Sequence, residues 1–74
     1  MDTQDIRSAL QSQRVINERE AAAFLNLSLP QLRRLRREGR GPDYVQTSYR
    51  RLGYRLVALI SYMDARTVQS IEGQ

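Results

Sequence analysis

The clearest division between apolar and polar positions lies in residues 26–39, which read NLSLPQLRRLRREG. On a helix, at about 100° per residue, Leu29, Leu32 and Leu35 fall on one side. The opposite side carries a polar and basic set: Gln31, Arg33, Arg34 and Arg37. This pattern predicts a helix with one side in a core and the other side directed at an anion.

The same segment has signals for both ends of the helix. Ser28 can cap the start, and Gln31 three residues later completes a capping-box pattern. Pro30 is tolerated there because the first backbone N–H groups of a helix have no intrahelical partner. Gly39 stands where a left-handed C-terminal cap is expected.

A shorter helix is predicted just before this segment. Residues 15–16 are apolar and predicted to be extended, and Asn17 caps a helix that has Glu20 three residues further on. Its inward-facing positions are expected to be Ala21, Phe24 and Leu25. A helix, a tight turn at residues 26–27 and a capped basic helix form the order of a helix-turn-helix. The alternative is an ordinary helical hairpin with a solvated basic face. The placement of the arginines opposite the leucines favours DNA binding.

The pattern changes from helical to strand-like after Gly39. Residues 40–43 predict a turn, residues 44–47 a strand, residues 48–51 a basic tip and residues 52–55 a return strand. A hairpin with a basic tip is typical of a wing that touches the DNA backbone or minor groove. The candidate contacts at the tip are Tyr49, Arg50 and Arg51; the alternative is a mobile polar loop.

The last helix is predicted from apolar residues at i, i+3, i+4 and i+7, namely Leu56, Leu59, Ile60 and Met63. It is expected to close the core over the first two helices. Residues 1–13 carry only a faint helical pattern, which leaves three options open: packing on the domain, docking on another copy, or a loose arm. The predicted organisation is an N-terminal arm at 1–13, one domain at 14–66 and a polar tail at 67–74.

The amino-acid composition favours some classes of partner and argues against catalytic and metal sites. The net charge is +4 with a pI near 10.3, and all twelve cationic residues are arginine, which points to nucleic acid or an acidic surface as partner. The absence of lysine fits codon bias, whereas arginine forks also suit phosphates and guanine edges. The chain has no cysteine or histidine, so we predict no catalytic residue, no metal site and no cofactor.

No apolar run approaches the ~20 residues that span a bilayer. The N-terminus carries Asp2 and Asp5 where a signal peptide has positive charge. We therefore expect a cytoplasmic, nucleoid-associated protein with no membrane partner.

The blocks EAAAFL, LSLPQLRRLRREG and GYRL stand in an order that resembles the small MerR-like winged helix-turn-helix proteins, among them excisionases and AlpA-type regulators. The resemblance covers about residues 15–66. It implies a mainly α fold with a small β-hairpin, in which the second helix enters the major groove and the wing contacts backbone or minor groove. The positions that match the recognition helix are Ser28, Gln31, Arg33, Arg34 and Arg37. Those that match the wing are Tyr49, Arg50, Arg51 and Arg55.

Two departures from the family pattern concern the ends of elements. The family has a serine or aspartate cap before the last helix, whereas Val57 and Ala58 stand there in this chain, which leaves the start of that helix open. The wing has Thr47, Ser48 and Tyr49 in place of a Gly-Gly tip, so its turn type is also open. Members that sense effectors carry a long coiled coil, and this chain has no room for one. No small-molecule ligand is therefore implied.

A single such module makes few base contacts and would bind DNA weakly. A symmetric dimer on a palindrome or head-to-tail cooperative binding to repeats would compensate, and the lack of a dimerisation helix favours the second. The first hypothesis is an excisionase-like recombination directionality factor of a mobile element, which binds double-stranded DNA repeats, bends DNA, biases an integrase and regulates promoters. The alternatives are a stand-alone transcriptional regulator and a protein-binding adaptor or antirepressor.

Overall fold

The computed structural model describes residues 10–69, which form helices and a small antiparallel sheet. The helices are α1 (Glu18–Phe24), α2 (Leu29–Arg37) and α3 (Leu56–Arg66), and residues 10–12 are also helical. The strands are β1 (Val15–Asn17), β2 (Val45–Ser48) and β3 (Arg51–Arg55). Residues 1–9 and 70–74, which hold most of the predicted N-terminal arm and C-terminal tail, lie outside the described residues.

Strand β3 lies between the other two strands, in the order β1-β3-β2. Ile16 of β1 pairs with Tyr54, and Gln46 of β2 pairs with Leu52. A bulge between Gln46 and Ser48 shifts the register near the tip of the β2–β3 hairpin. The sequence predicted only this hairpin together with an extended segment at residues 15–16. The structure joins the two into one sheet, because the extended segment supplies the third strand.

The predicted caps of α1 and α2 are confirmed. Asn17 Oδ1 accepts a hydrogen bond from Glu20 N at 2.8 Å. Ser28 Oγ accepts one from Gln31 N at 3.2 Å, and Gln31 Oε1 accepts one from Ser28 N at 2.8 Å, which completes the capping box.

Both helices end in a residue with left-handed backbone. Asn26 after α1 has φ 60° and Gly39 after α2 has φ 70°. In each case the N–H of the left-handed residue and the N–H of the next residue donate to carbonyl oxygens of the last helical turn, the hydrogen-bond arrangement of a Schellman motif. The stop at Asn26 and the capping box at Ser28 confine the connection between α1 and α2 to residues 25–28.

One small core joins the three helices to the sheet. Tyr54, Leu32 and Leu59 are its largest fully buried side chains. Ile16, Ala21 and Ala22 complete the buried set, and Leu25, Leu27, Leu52 and Leu56 pack partly buried around it. The core therefore draws on β1, α1, α2, β3 and α3, and it positions the polar side of α2 by fixing the leucine side.

The prediction that Phe24 faces inward is wrong, since this residue is 43% exposed. On α1 the buried arc is set by Ala21, Ala22 and partly buried Leu25. Phe24 lies roughly 110° from the centre of that arc at 100° per residue. The alanines let the backbone of α1 approach the core closely, and the large ring remains at the edge.

Helix α3 is rotated relative to the predicted apolar stripe. Leu59 is buried, but Ile60 and Met63 are exposed, while Ala58 and Tyr62 are partly buried instead. Leu59 is buried in one cluster with Ala21 and Ala22 of α1, Leu32 of α2 and Tyr54 of β3. Helix α3 therefore closes the core over the first two helices, as predicted, and also packs on strand β3. Leu59 lies at one side of the predicted apolar stripe. Because α3 packs on β3, this side of the stripe faces the core, and the middle of the stripe does not.

Helix α3 begins directly at Leu56, which settles the start that the sequence left open. No side chain caps it; instead Leu56 N donates to the Arg14 carbonyl oxygen at 3.1 Å. This hydrogen bond continues the β1–β3 pairing by one residue, to the first residue of α3. In the described part of the chain, no helix combines the length and apolar character needed to cross a bilayer.

Gly53 is needed where β1 and β3 pair. A Cβ atom there would lie 2.6 Å from Val15 Cγ1 and 2.7 Å from the Ile16 carbonyl oxygen. Because a backbone oxygen cannot move aside without breaking the strand pair, we expect Gly53→Ala to lower the free energy of unfolding by about 1–3 kcal/mol. Urea unfolding followed by circular dichroism measures this. The control Ser61→Ala, on the exposed side of α3, should stay within about 0.5 kcal/mol of wild type. Equal stability of the two variants would contradict the proposed close approach.

Candidate nucleic-acid interface

Three of the four arginines of α2 lie on the solvent side of the helix, namely Arg33, Arg34 and Arg37. Leu32 is wholly buried, whereas the side chains of Arg33 and Arg34 are 48% and 70% exposed. Arg37 is also exposed and lies one turn beyond Arg33 on the same face. The predicted division of this helix into an apolar inner side and a basic outer side is therefore present.

Two carboxylates pair with most of these arginines. Glu18, the first residue of α1, binds Arg33 with an Nη2–Oε1 distance of 3.3 Å and also binds Arg36 through Nη1. Glu38 binds Arg34 with an Nε–Oε2 distance of 3.1 Å and also binds Arg40. Arg37 has no ion pair within residues 10–69. Only one of the three predicted arginine contacts on α2 is thus unpaired in the protein alone.

The two acidic groups are held in their ionised form. Partial burial raises the pKa of Glu18, but hydrogen bonds from Arg33 and Arg36 outweigh it and leave that pKa below its ordinary value of 4.5. Hydrogen bonds from Arg40 and then Arg34 lower the pKa of Glu38. Each carboxylate therefore carries a full negative charge at neutral pH within a basic surface.

Arg36 connects the outer surface to the core. Burial lowers the pKa of Arg36, but the hydrogen bond to Glu18 and the nearby Tyr54 hydroxyl raise it overall. That hydroxyl is buried next to the guanidinium without a hydrogen bond of standard geometry within the described residues. Burial raises the pKa of Tyr54, and Arg36 opposes this rise. Arg36 is thus placed between the core tyrosine and Glu18.

Ser28 and Gln31, both predicted DNA contacts, already serve the start of α2. The Ser28 hydroxyl and the Gln31 side-chain carbonyl are the two acceptors of the capping box. The side-chain amide of Gln31 keeps its N–H donors, which can reach outward. These two residues therefore position the helix as well as standing at its exposed end.

The hairpin carries a short, exposed tip at residues 49–50. Tyr49 is 90% exposed, and the Arg50 guanidinium carbon lies 5.6 Å from the centre of its ring. Gln46, which the sequence analysis did not single out, donates from its side-chain amide to the carbonyl oxygens of Ser48 at 2.6 Å and Arg51 at 3.1 Å. Those hydrogen bonds across the bulge hold the tip in shape without the Gly-Gly turn of the family pattern.

A groove of about 780 Å³ runs between α2 and the hairpin. Its walls come from residues 15–19, from Leu29 and Arg33 of α2, and from Thr47 and residues 50–53 of the hairpin. Its charged side chains are Glu18, Arg19, Arg33, Arg50 and Arg51. We call this the arginine groove. Four arginines from three elements line this one open surface.

The structure brings only some of the predicted site residues into this groove. Arg33, Arg50 and Arg51 line it, whereas Arg34 and Arg37 lie on the exposed face of α2 outside its walls and Tyr49 projects from the tip. Arg55 lines a different cavity, of about 500 Å³, together with Tyr44 and Val57. Its position opposite Val15 in the β1–β3 pair separates it from the tip.

Sequence reasoning missed Arg19 and the pairing role of Glu18. Both residues stand in the first turn of α1, where the sequence indicated only an acidic helix start. These two residues lie near the hairpin because β1 pairs with β3, and no local sequence pattern predicts that pairing.

The chain matches no model of a known protein family and no curated protein.

Glu18 should make stability depend on pH. Its pKa is lower in the folded chain than in the unfolded chain, so its contribution is complete above about 4.5 and is lost as the pH falls through the folded value. We expect Glu18→Gln to lower the free energy of unfolding at pH 7 by about 1–2 kcal/mol, allowing for the solvent exposure of Arg33. At pH 3 the difference from wild type should shrink.

Urea midpoints at the two pH values measure this, with Glu20→Gln as the control. Glu20 is exposed in the same helical turn and has no ion pair within residues 10–69, so the control removes an equal charge near the same helix end. A loss as large for Glu20→Gln as for Glu18→Gln would assign the effect to the helix dipole instead.

Proposed function

We propose that this domain is a winged helix-turn-helix that binds double-stranded DNA. In this proposal α2 enters the major groove and the β2–β3 hairpin lies along the sugar–phosphate backbone. The observation that carries it is the arginine groove, which is lined by Arg19, Arg33, Arg50 and Arg51 from α1, α2 and the hairpin. Guanidinium groups suit phosphate oxygens because they donate in a planar fork.

The dimensions of α2 support the same proposal. An α-helix with its side chains is about 10–12 Å across, which the major groove, about 12 Å wide, admits, and the nine residues of α2 give about 14 Å of helix to lie in it. Its basic side is exposed, and its buried leucine side holds it against the core. A short helix held on one face and exposed on the other can enter the groove without changing the fold.

The existing ion pairs do not oppose DNA binding strongly. The Arg34–Glu38 pair lies at the surface, with the Arg34 side chain 70% exposed, and exposed ion pairs contribute little to stability. The Arg34 guanidinium can therefore exchange its carboxylate for a phosphate or a base edge at small cost. Arg37, Arg50 and Arg51, which have no ion pair within residues 10–69, need no such exchange.

The biological role that this proposal favours is that of an excisionase-like factor of a mobile element, acting on DNA in the cytoplasm. The support is the resemblance of residues 15–66 to that family and the small size of the domain. A single α2 and a single hairpin offer few base contacts, which favours cooperative head-to-tail binding to repeats. An integrase acting on the same DNA is the expected partner.

Arg50→Ala tests the contact of the hairpin with phosphate. Loss of one phosphate contact should weaken binding on all duplexes and reduce the slope of log affinity against log salt concentration by about 0.9. Fluorescence anisotropy of a labelled duplex across a salt series measures both quantities. The matched control is Arg66→Ala, which removes the same charge from a side chain stacked on Tyr62, with 5.0 Å between its guanidinium carbon and the ring centre. Equal slopes for the two variants would remove the hairpin from the phosphate contacts.

Gel shifts on duplexes with one, two and three copies of a selected site test the role. Stepwise cooperative complexes with bending of the DNA are expected for the excisionase-like factor. One discrete complex on a palindrome would indicate a transcriptional regulator instead. Absence of any complex at low salt would overturn DNA binding and leave a protein-binding adaptor.

A further inference from the structure

We infer that Glu18 is a specificity-determining residue, which directs Arg33 to a base edge and disfavours its contact with phosphate. This inference rests on the proposed DNA binding and assigns a selectivity to the same surface. Its basis is the position of one carboxylate among the four arginines of the arginine groove.

Glu18 is the single acidic side chain among the described residues that line the groove. It binds both Arg33 and Arg36, but the two arginines differ in their surroundings. Arg36 has a side chain that is 22% exposed and lies beside the buried Tyr54 hydroxyl, whereas Arg33 is 48% exposed and makes the longer contact. Arg36 therefore holds Glu18 in place, and Glu18 in turn orients the more exposed Arg33.

The charge of Glu18 affects phosphates and bases differently. A phosphate close to Arg33 would also approach the Glu18 carboxylate, and two like charges repel each other. A guanine edge carries no net charge and offers two acceptors, O6 and N7, that fit an arginine fork. Arg33 contacts Glu18 through Nε and Nη2, which leaves further N–H donors for a base. The geometry thus favours a bridge from Glu18 through Arg33 to a base.

Nonspecific affinity for DNA depends on the number of phosphates that cationic groups neutralise. Arg19, Arg50 and Arg51 have no ion pair within residues 10–69 and remain available for this purpose. Because Glu18 compensates the charge of Arg33, Arg33 does not neutralise a phosphate. The residue therefore lowers binding to random sequence while it keeps Arg33 oriented for recognition.

The test compares two duplexes of equal length: one enriched by selection from a random library on the wild-type protein, and one with the same bases in scrambled order. For Glu18→Gln we expect a several-fold rise in affinity for the scrambled duplex and a salt slope steeper by about 0.9. The ratio of selected to scrambled affinity should fall. Glu20→Gln makes the same charge change outside the groove and should leave both the slope and the ratio unchanged. Equal behaviour of the two variants would overturn the inference.

Arg33→Gln gives a second readout that does not depend on the stability of Glu18→Gln. It should weaken binding to the selected duplex about 5- to 150-fold, which is the equivalent of about 1–3 kcal/mol for a bidentate base contact. Affinity for the scrambled duplex should fall much less, since only the compensation of the Glu18 charge is reduced there. An equal loss on both duplexes would identify Arg33 as a phosphate contact and overturn the inference. If the wild-type chain binds neither duplex at low salt, the proposed DNA binding itself fails. If it binds both and only the variants disagree, the assignment of Glu18 alone fails.

Discussion

The orientation of α2 depends on the burial of its leucine side in a very small core. Leu32 is fully buried together with Tyr54 and Leu59, so this one cluster joins α2 to the sheet and to α3. Rotation of α2 would expose Leu32 to water and place arginine in an apolar environment, and both changes cost free energy. The outward direction of Arg33 and Arg37 is thus a consequence of packing on the opposite side of the helix.

Electrostatic contacts refine what packing establishes. Glu18 joins the start of α1 to α2 through Arg33 and Arg36, and Arg36 also lies beside the buried hydroxyl of Tyr54. The Arg33–Glu18 contact is long and half-exposed at Arg33, so its main effect is on the direction of the Arg33 side chain, whereas the more buried Arg36–Glu18 pair contributes to stability. The same carboxylate compensates the positive charge of Arg33, whereas the charges of the other arginines that line the groove are not compensated by an ion pair within residues 10–69.

The groove itself is a product of strand pairing. Strand β1 lies beside β3 in register, with Asn17 opposite Gly53, and this brings the first turn of α1 next to the hairpin. Gly53 allows the close approach because a side chain there would meet Val15 and the Ile16 carbonyl. Arg19 and Arg51 consequently line one surface although 32 positions separate them in the sequence. The charge of this surface is what a DNA backbone would encounter.

Local signals in the sequence were sufficient for the order of the helices and the hairpin and for both ends of α2, but not for the start of α3. The capping box of Ser28 and the left-handed Gly39 are short-range interactions, so α2 could be predicted with its boundaries and its basic side. Tertiary structure alone decided which side of α3 is buried, how Phe24 became exposed and which arginines share a groove. Those outcomes depend on contacts between residues distant in the chain, such as the pairing of β1 with β3, and local periodicity carries no information about them.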